Sequence, residues 1–418
     1  MLDRTVLVIA YYFPPIGLSG VQRTLKFVKY LSNYGWKPIV LTTSPDAFYA
    51  FDETLDEEIG DETIVYRTES KKKDKLKITK FPNYFTQKIG RALIQTFYQP
   101  DRAIKWKKQA IALAEKILFE HKVDMIFSTA PPFTDFLIAK EISERFKIPY
   151  LVDYRDIWVD NPFHFYATPF HKSYAINLEK NVLKTANKAI VTTRHSKETL
   201  LKRYSFLNHD DIVIIPHGFD SNDFLEYQDV KPDRNKFTIT HSGLFQDNRT
   251  PKYFLKALAN FIKNNPQAKN QIEARFIGIM RKGHLKYIKK FNLNENVVIT
   301  GYVAHKSAID HLMQSDILWL MLDDNVRSPG KLFEYFGARK PLIACVPDGV
   351  IRKIALDSKS AIVTDPKNII EIEQAIASMY KLWQSNTLPV PKFEFVEQYD
   401  RAKLTGELAR ELSLGMDL

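Results

Sequence analysis

The stretch Ser328-Pro329-Gly330-Lys331-Leu332-Phe333-Glu334-Tyr335-Phe336-Gly337 lies between two apolar runs, Ile317 to Leu322 and Pro341 to Val346. It reads as strand, tight turn, helix and strand. Pro329 and Gly330 open the turn, and the first turn of the helix leaves backbone N–H groups unpaired. Lys331 adds a full charge where the helix dipole is already positive, which suits a diphosphate. Glu334 follows one helical turn on, within reach of a sugar hydroxyl attached to that diphosphate. The same residues also fit a plainer reading. Leu332, Phe333, Tyr335 and Phe336 would then be the buried stripe of a sheet-packed helix, with Glu334 solvated.

Strand-like runs and helical patterns alternate on both sides of this stretch. In the first half, strands are expected at Thr5–Tyr11, Pro38–Thr42, Asp124–Ser128, Tyr150–Asp153, Ala189–Thr192 and Ile212–Ile215. Helices are expected at Ser19–Tyr34, ending on Gly35, then near 136–146, near 174–185 and from Ser196. After the polar, turn-rich region 220–233 the scheme repeats, with strands at 236–241, 273–278, 296–300, 317–322, 342–345 and 361–363. Helical patterns lie between them, the last of them spanning Asn368–Trp383, and a helical tail covers 395–414. Such alternation implies parallel sheets covered on both faces. The expected fold class is α/β, with two Rossmann-like, doubly wound parallel-sheet domains facing across a cleft. Residues 1–222 form the first domain and 223–392 the second, and 393–418 is a tail packing back on the first.

A chain of 418 residues is long enough for two such cores, and 45% hydrophobic with 26% charged residues is ordinary for a soluble globular protein. There is no 18-residue apolar run and no secretory leader pattern, so the expected location is cytoplasmic. The single cysteine, Cys345, sits in an apolar run and reads as a small core residue. Most of the net charge of +11 is local, since Tyr66 to Lys122 holds 15 Lys and Arg against 5 Asp and Glu. Within it, Lys71-Lys72-Lys73-Asp74-Lys75 reads as a solvated loop, while Phe81 to Tyr98 mixes aromatic and basic residues. Residues 66–122 suit an anionic membrane surface, where each Lys or Arg contributes about 1 kcal/mol, and hence a peripheral place at the inner face of the plasma membrane. They equally suit a basic loop followed by a helix packed on its own domain. No recognised nucleic-acid motif accompanies the charge, so nucleic acid is not an expected partner.

Ligands of open parallel sheets sit beyond the carboxyl ends of the strands, and the unusual loops of this chain all fall there. They are 14–20 (PPIGLSG), 128–132 (STAPP), 153–158 (DYRDIW), 217–220 (HGFD), 242–249 (SGLFQDNR), 301–303 (GYV) and the opening stretch. His241 and His217 lie at such strand ends, and no pair of histidines has metal-ligand spacing.

Together these loops resemble the family 4 glycosyltransferases, the group 1 set of two-domain enzymes with the GT-B fold. Four stretches carry the likeness: YYFPPIGLSGVQR (11–23), VDYRDIW (152–158), HSGLFQDNRTPKYFLKAL (241–258) and SPGKLFEYFGARKPLIA (328–344). PDRAIKW (100–106), STAPPF (128–133), VTTRHS (191–196), IPHGFD (215–220) and GYVAHKSAIDHLMQSDILWL (301–320) follow in the family's order. The resemblance implies a nucleotide-activated sugar on the second domain and an acceptor on the first. It implies donor-binding roles for Gly20, Gly243, Arg249, Val303, Ser328, Pro329, Gly330, Lys331, Leu332 and Glu334. Glu334 would hold the ribose hydroxyls, Gly330, Lys331 and Leu332 the diphosphate, and Val303 the base, with Gly20 approaching the phosphates.

Breaking a sugar–phosphate bond builds negative charge on the departing diphosphate, which Arg249 and Lys331 can stabilise without a metal. Asp323-Asp324 lacks the Asp-x-Asp spacing of metal-dependent enzymes, so neither a metal nor a cofactor is expected beyond a UDP-, GDP- or dTDP-sugar donor. One departure concerns the donor sugar. The family's second glutamate, eight positions before Glu334, is here Val326, and Asp324 or Asn325 is the nearest substitute. On the acceptor side, Asp153, Arg155 and Trp158 are candidates for binding, and Asp156 for orienting or deprotonating a hydroxyl. Alternatively Asp153 pairs with Arg155 to brace the loop. The resemblance implies a retaining transfer, and the expected acceptor is a lipid-linked or polysaccharide intermediate in cell-surface glycan synthesis. The alternatives are a nucleotide-sugar-binding protein without transferase activity and a nucleotide-sugar 2-epimerase.

Overall fold

The first strand, β1 (Arg4–Ile9), is apolar along most of its length because both of its faces are covered. Val6 and Val8 pack on one side with Leu25 and Val28 of the helix Ser19–Leu31. Leu7 and Ile9 pack on the other with Ala110, Ala114 and Ile117 of the helix Lys107–Glu120 and Phe136, Ala139 and Ile142 of the helix Thr134–Phe146. The computed structural model describes residues 4–17, 19–45, 51–69, 90, 92, 95–245 and 248–416. Within them the chain forms two compact units, Met1–His217 with Arg401–Leu418, and Gly218–Asp400.

The first unit continues with β2 (Trp36–Thr42), β3 (Ile64–Arg67), β4 (Met125–Ala130), β5 (Tyr150–Tyr154), β6 (Lys188–Val191) and β7 (Ile212–Ile214). All strands are parallel, in the order β3-β2-β1-β4-β5-β6-β7, with Val6 in register with both Pro38 and Met125. The order reverses between β1 and β4, so the loops after those two strands diverge. The helix Arg401–Met416 completes this unit, burying Leu404, Leu408 and Leu412 beside Val6, Val8, Phe127 and Leu151. Its start is tied by the Tyr34 hydroxyl, which donates to the Ala402 carbonyl at 2.8 Å.

The second unit holds β8 (Phe237–Ser242), β9 (Ile272–Ile277), β10 (Val297–Gly301), β11 (Ile317–Met321), β12 (Leu342–Cys345) and β13 (Ala361–Thr364), again all parallel. Their order is β10-β9-β8-β11-β12-β13, which reverses between β8 and β11. One face packs on the helices Lys252–Asn264 and Ile369–Gln384, and the other on the helix Gly330–Gly337. Cys345 is buried in this sheet, with the Trp319 indole N–H donating to its sulfur at 3.1 Å, and burial pushes the thiol up to about 11. It is a core residue.

The division of the chain falls after His217 and after Asp400 rather than at 222 and 392. Aromatic packing explains the second difference. Tyr399 lies 4.9 Å from Phe333 and Phe395 lies 5.3 Å from Phe336, so residues 393–400 stay with the second unit. At the other end, Asp400 Oδ2 accepts from the Ser221 amide at 3.2 Å, which holds the start of this unit against its finish.

Three elements carry no clear signal in the sequence: β3, the helix Lys107–Glu120 and the helix Val350–Asp357. β3 is an edge strand that is only half-buried at all four positions, and the helix Lys107–Glu120 buries just Ala110, Ile111, Ala114 and Ile117. That helix is the longest described element of the basic stretch, of which residues 66–69, 90, 92 and 95–122 are described. Residues 70–89 and positions 91, 93 and 94, which hold Lys71 to Lys75 and most of Phe81 to Tyr98, lie outside the described residues. No described helix is long and apolar enough to cross a membrane.

Candidate functional site

In the second unit, β8 and β11 are neighbours at the point where strand order reverses, the usual place for a ligand in such a sheet. The helix Gly330–Gly337 begins beyond the end of β11. Pro329 precedes it with φ −77° and ψ 127°, and no side chain caps its N-terminus. Leu332, Phe333, Tyr335 and Phe336 are all buried, so the apolar stripe expected of a sheet-packed helix is present. Lys331 and Glu334 lie off that stripe and are half-buried.

Three consecutive residues at the end of β8 take up this helix. His241 Nδ1 is 2.9 Å from the Trp319 carbonyl oxygen, and its Nε2 is 3.5 Å from Lys331 Nζ. The Ser242 amide donates to the Tyr335 hydroxyl at 2.8 Å. Gly243 has φ 112°, and a Cβ there would stand 2.9 Å from Lys331 Nζ, so only glycine fits both the backbone and the lysine. Its amide donates to the Ile277 carbonyl at 2.7 Å, which ties the loop to β9. Burial, and then the nearby Arg249 charge, push the Lys331 amine down to about 7, against the opposing pull of Glu334. Burial and the Lys331 charge hold His241 in its neutral form. Ser328 Oγ is buried with no hydrogen-bond partner among the described residues. Leu332 can offer only its backbone, because its side chain is wholly buried. Val303 follows Gly301 after β10 and is partly buried against the apolar cluster that contains Ile309 and Leu332.

The loop after β11 is braced by its own charges. Asp324 Oδ1 accepts from the amides of Val326 at 3.1 Å and Arg327 at 2.9 Å, while Oδ2 accepts from Arg327 Nε at 2.7 Å. Arg327 also reaches Asp323 at 3.1 Å. The carboxylate considered as a substitute for the missing glutamate is therefore committed to holding the turn that contains Val326.

In the first unit, two arginines staple the strand-end loops. Arg23 donates to both oxygens of Asp153, at 3.1 and 2.8 Å, and to the carbonyls of Ile215 and Pro216 at 3.0 and 2.7 Å. The Thr129 hydroxyl donates to the same carboxylate at 2.8 Å. Asp153 thus pairs with Arg23 rather than with Arg155. The Arg155 guanidinium instead donates to the carbonyls of Gly20, Pro131 and Ala130. Trp158 is wholly buried and stacks on Phe133 at 4.8 Å. These three side chains shape the loop from inside, while Asp156 is half-buried. Asp101 of PDRAIKW accepts from the Thr134 amide at 3.1 Å and hydroxyl at 2.8 Å, fixing the start of the helix Thr134–Phe146. These ties were not visible in the sequence, because their partners lie far apart along the chain. A polar residue within an apolar stripe, such as Tyr335, or within an apolar strand, such as His241, was the available signal.

Tyr154 in the same loop sits above a buried acid. Glu179 Oε2 accepts from the Tyr204 hydroxyl at 2.7 Å, and the Tyr154 hydroxyl lies close to the same carboxyl. Burial pushes the Glu179 carboxyl up from 4.5 to about 8. Between those two values the native state keeps a proton that the unfolded chain has released, so stability falls as pH rises through this window. The difference is on the order of 4 kcal/mol by pH 8. Glu179→Gln removes that dependence, and at pH 8 we expect it to raise the melting temperature of the unit by about 8–16 °C, with little change at pH 5. An equal shift at both pH values would refute the assignment.

Two family models match the chain, one described as glycosyltransferase family 4 over residues 20–223 and one as glycosyl transferases group 1 over residues 236–381. Among solved structures, Anabaena Alr3699/HepE in complex with UDP and glucose is similar, with a TM-score of 0.66 and 16% identity over 99% of this chain and 100% of that one. Sucrose-phosphate synthase from Thermosynechococcus elongatus is similar with a TM-score of 0.65 and 13% identity, over 99% and 100% of the two chains. UDP-GlcNAc 2-epimerase from Neisseria meningitidis bound to UDP-GlcNAc follows at 0.59 and 12% identity, over 98% and 100%. No curated protein matches the chain in sequence.

Proposed function

Because the chain belongs to the family 4, group 1 glycosyltransferases, with their GT-B fold, we propose that its second unit binds a nucleoside diphosphate sugar at Lys331 and Glu334 and that the enzyme transfers the sugar with retention of configuration. The observation that carries this reading is the Lys331 amine, set beside Arg249 at an uncapped helix start where the strand order reverses. Rupture of the bond between the anomeric carbon and the diphosphate leaves the electron pair on phosphate oxygen. Lys331, Arg249 and the Gly330 end of the helix offset that charge as it grows. Glu334 takes the ribose hydroxyls. Ser328, Pro329, Gly243 and Leu332 shape or donate to the phosphate site through backbone and hydroxyl, and Val303 meets the base. No metal is needed in this scheme.

On the first unit, Asp156 orients the acceptor hydroxyl while the departing phosphate takes its proton. Asp153, Arg155 and Trp158 hold the loop that carries it. A glycan or lipid-linked acceptor in cell-surface glycan synthesis fits the basic stretch 66–122, through which the protein would rest on an anionic membrane surface at the inner face of the plasma membrane. HepE binds UDP and glucose, which favours UDP among the candidate bases, with GDP and dTDP as the alternatives.

The test is a panel of UDP-, GDP- and dTDP-sugars scored for thermal protection, hydrolysis and transfer. One nucleotide sugar is expected to protect and to be turned over, and at 100 times its Kd the protection is about 2.7 kcal/mol. Protection without turnover would assign a binding protein, and epimerised product without transfer would assign a 2-epimerase.

A further inference from the structure

We propose that His241 is the positioning residue for Lys331, its Nε2 accepting one hydrogen of the lysine amine and keeping the others directed to the phosphate site, in the free and the diphosphate-bound protein alike. The inference rests on the diphosphate reading given above. It begins with a carbonyl. Trp319 oxygen can only accept, so the nitrogen 2.9 Å from it, His241 Nδ1, must carry the hydrogen. In a neutral ring Nε2 is then a lone-pair acceptor, and it lies 3.5 Å from Lys331 Nζ.

The ring is held against rotation. It stacks on Phe245 at 4.5 Å and 12°, and lies 5.0 Å from the Trp319 ring on the same strand that provides the carbonyl. Its exposure is 2%, so no solvent competes for the acceptor. At 3.5 Å the contact is long for a hydrogen bond, and it engages only one of the amine's N–H donors, leaving the others for phosphate oxygens while the histidine keeps its hold. Gly243 closes the other side, since any Cβ there would stand 2.9 Å from the amine.

The groups acting on the amine come from every element around it. They are Arg249 from the loop after β8, Arg327 from the loop after β11, Glu334 from its own helix, and the neutral His241 from β8. Two arginines and burial outweigh one carboxylate, and the amine sits at about 7. A diphosphate restores the ordinary preference for the charged form, so above that pH its binding brings a proton with it. Affinity is then level below pH 7 and falls by about tenfold per pH unit above it.

The experiment is a double-mutant cycle in the full chain, with UDP, GDP and dTDP each titrated calorimetrically at pH 8 in buffers of different ionisation enthalpy. His241→Phe keeps the stacking on Phe245 and removes Nε2, and Lys331→Met removes the amine. We expect the tightest-binding nucleotide to weaken by about tenfold in His241→Phe and by about 20-fold in Lys331→Met at this pH, where the amine must first take up a proton, and the double variant to be no weaker than Lys331→Met alone. Wild type should take up close to one proton per nucleotide, and Lys331→Met close to none. His241→Gln, which can present an amide oxygen to the amine, should recover most of the loss and covers the case of a misfolded phenylalanine variant. A tenfold loss from His241→Phe in both backgrounds would make the histidine merely structural and overturn the inference while leaving the diphosphate reading in place. Unchanged affinity in His241→Phe would do the same. If the wild-type chain binds none of the three nucleotides, the diphosphate reading itself falls, and the inference with it.

Discussion

Lys331→Ala is expected to weaken the binding of a nucleoside diphosphate by about 100-fold at pH 7, and Glu334→Ala by about tenfold. The lysine carries the larger effect because it makes charge-assisted contacts to phosphate, each worth roughly 1.5–3 kcal/mol, in a place where burial already excludes much of the water. Glu334 accepts from neutral hydroxyls, which ribose can in part satisfy with water. Turnover should suffer more than binding in the lysine variant. Charge on the diphosphate is greatest as the sugar departs, and an interaction that strengthens toward the transition state appears in kcat as well as in Kd. Calorimetric Kd values and initial rates with the active donor check both statements. Unchanged affinity in both variants would remove Lys331 and Glu334 from the site and with them the proposed place of the donor.

A chain ended at Asp400 is expected to lose the cooperative unfolding of the first unit while keeping that of the second. Leu404, Leu408 and Leu412 are essentially buried, and each such side chain contributes about 1.5–3 kcal/mol. Their sum approaches the whole stability of an ordinary domain, roughly 5–15 kcal/mol. The residues uncovered would be Val6, Val8, Phe127 and Leu151, from the middle of the sheet. Leu408→Ala alone should cost about 2–5 kcal/mol. Limited proteolysis with mass spectrometry reads the outcome. Fragments should arise from residues within 1–217 while a resistant piece close to 218–400 survives. A truncated chain that resists protease throughout would show that the last helix is dispensable.

Most of the architecture was legible because its signals are local. Four consecutive apolar residues in Val6–Ile9, a glycine closing the helical run that begins at Ser19, and Pro329-Gly330 before an amphipathic turn each announce their element within a few residues. β3 was not legible, since an edge strand half-buried at every position has little apolar pattern to show. Nor was the helix Lys107–Glu120, where only Ala110, Ile111, Ala114 and Ile117 are buried among many charges. In the site, Lys331 and Glu334 declare themselves by spacing along one helix. Their surroundings do not. His241 is 90 positions from Lys331, and Arg23 is 130 positions from Asp153, the acid it holds. Val326 was legible as a departure, but the commitment of Asp324 to the turn around it depends on an arginine whose direction no pattern encodes.

The split composition of the first unit sets an order for biosynthesis. A ribosome delivers residues from the N-terminus at about 5–20 per second, and the second unit, Gly218–Asp400, is entire before the helix Arg401–Met416 has emerged. The later-encoded unit can therefore mature first, while the earlier-encoded one waits with an uncovered sheet for the last helix of the chain. During that interval the nascent protein offers Val6, Val8, Phe127 and Leu151 to any holding chaperone, and its yield in the cell should depend on one more than an isolated second unit would.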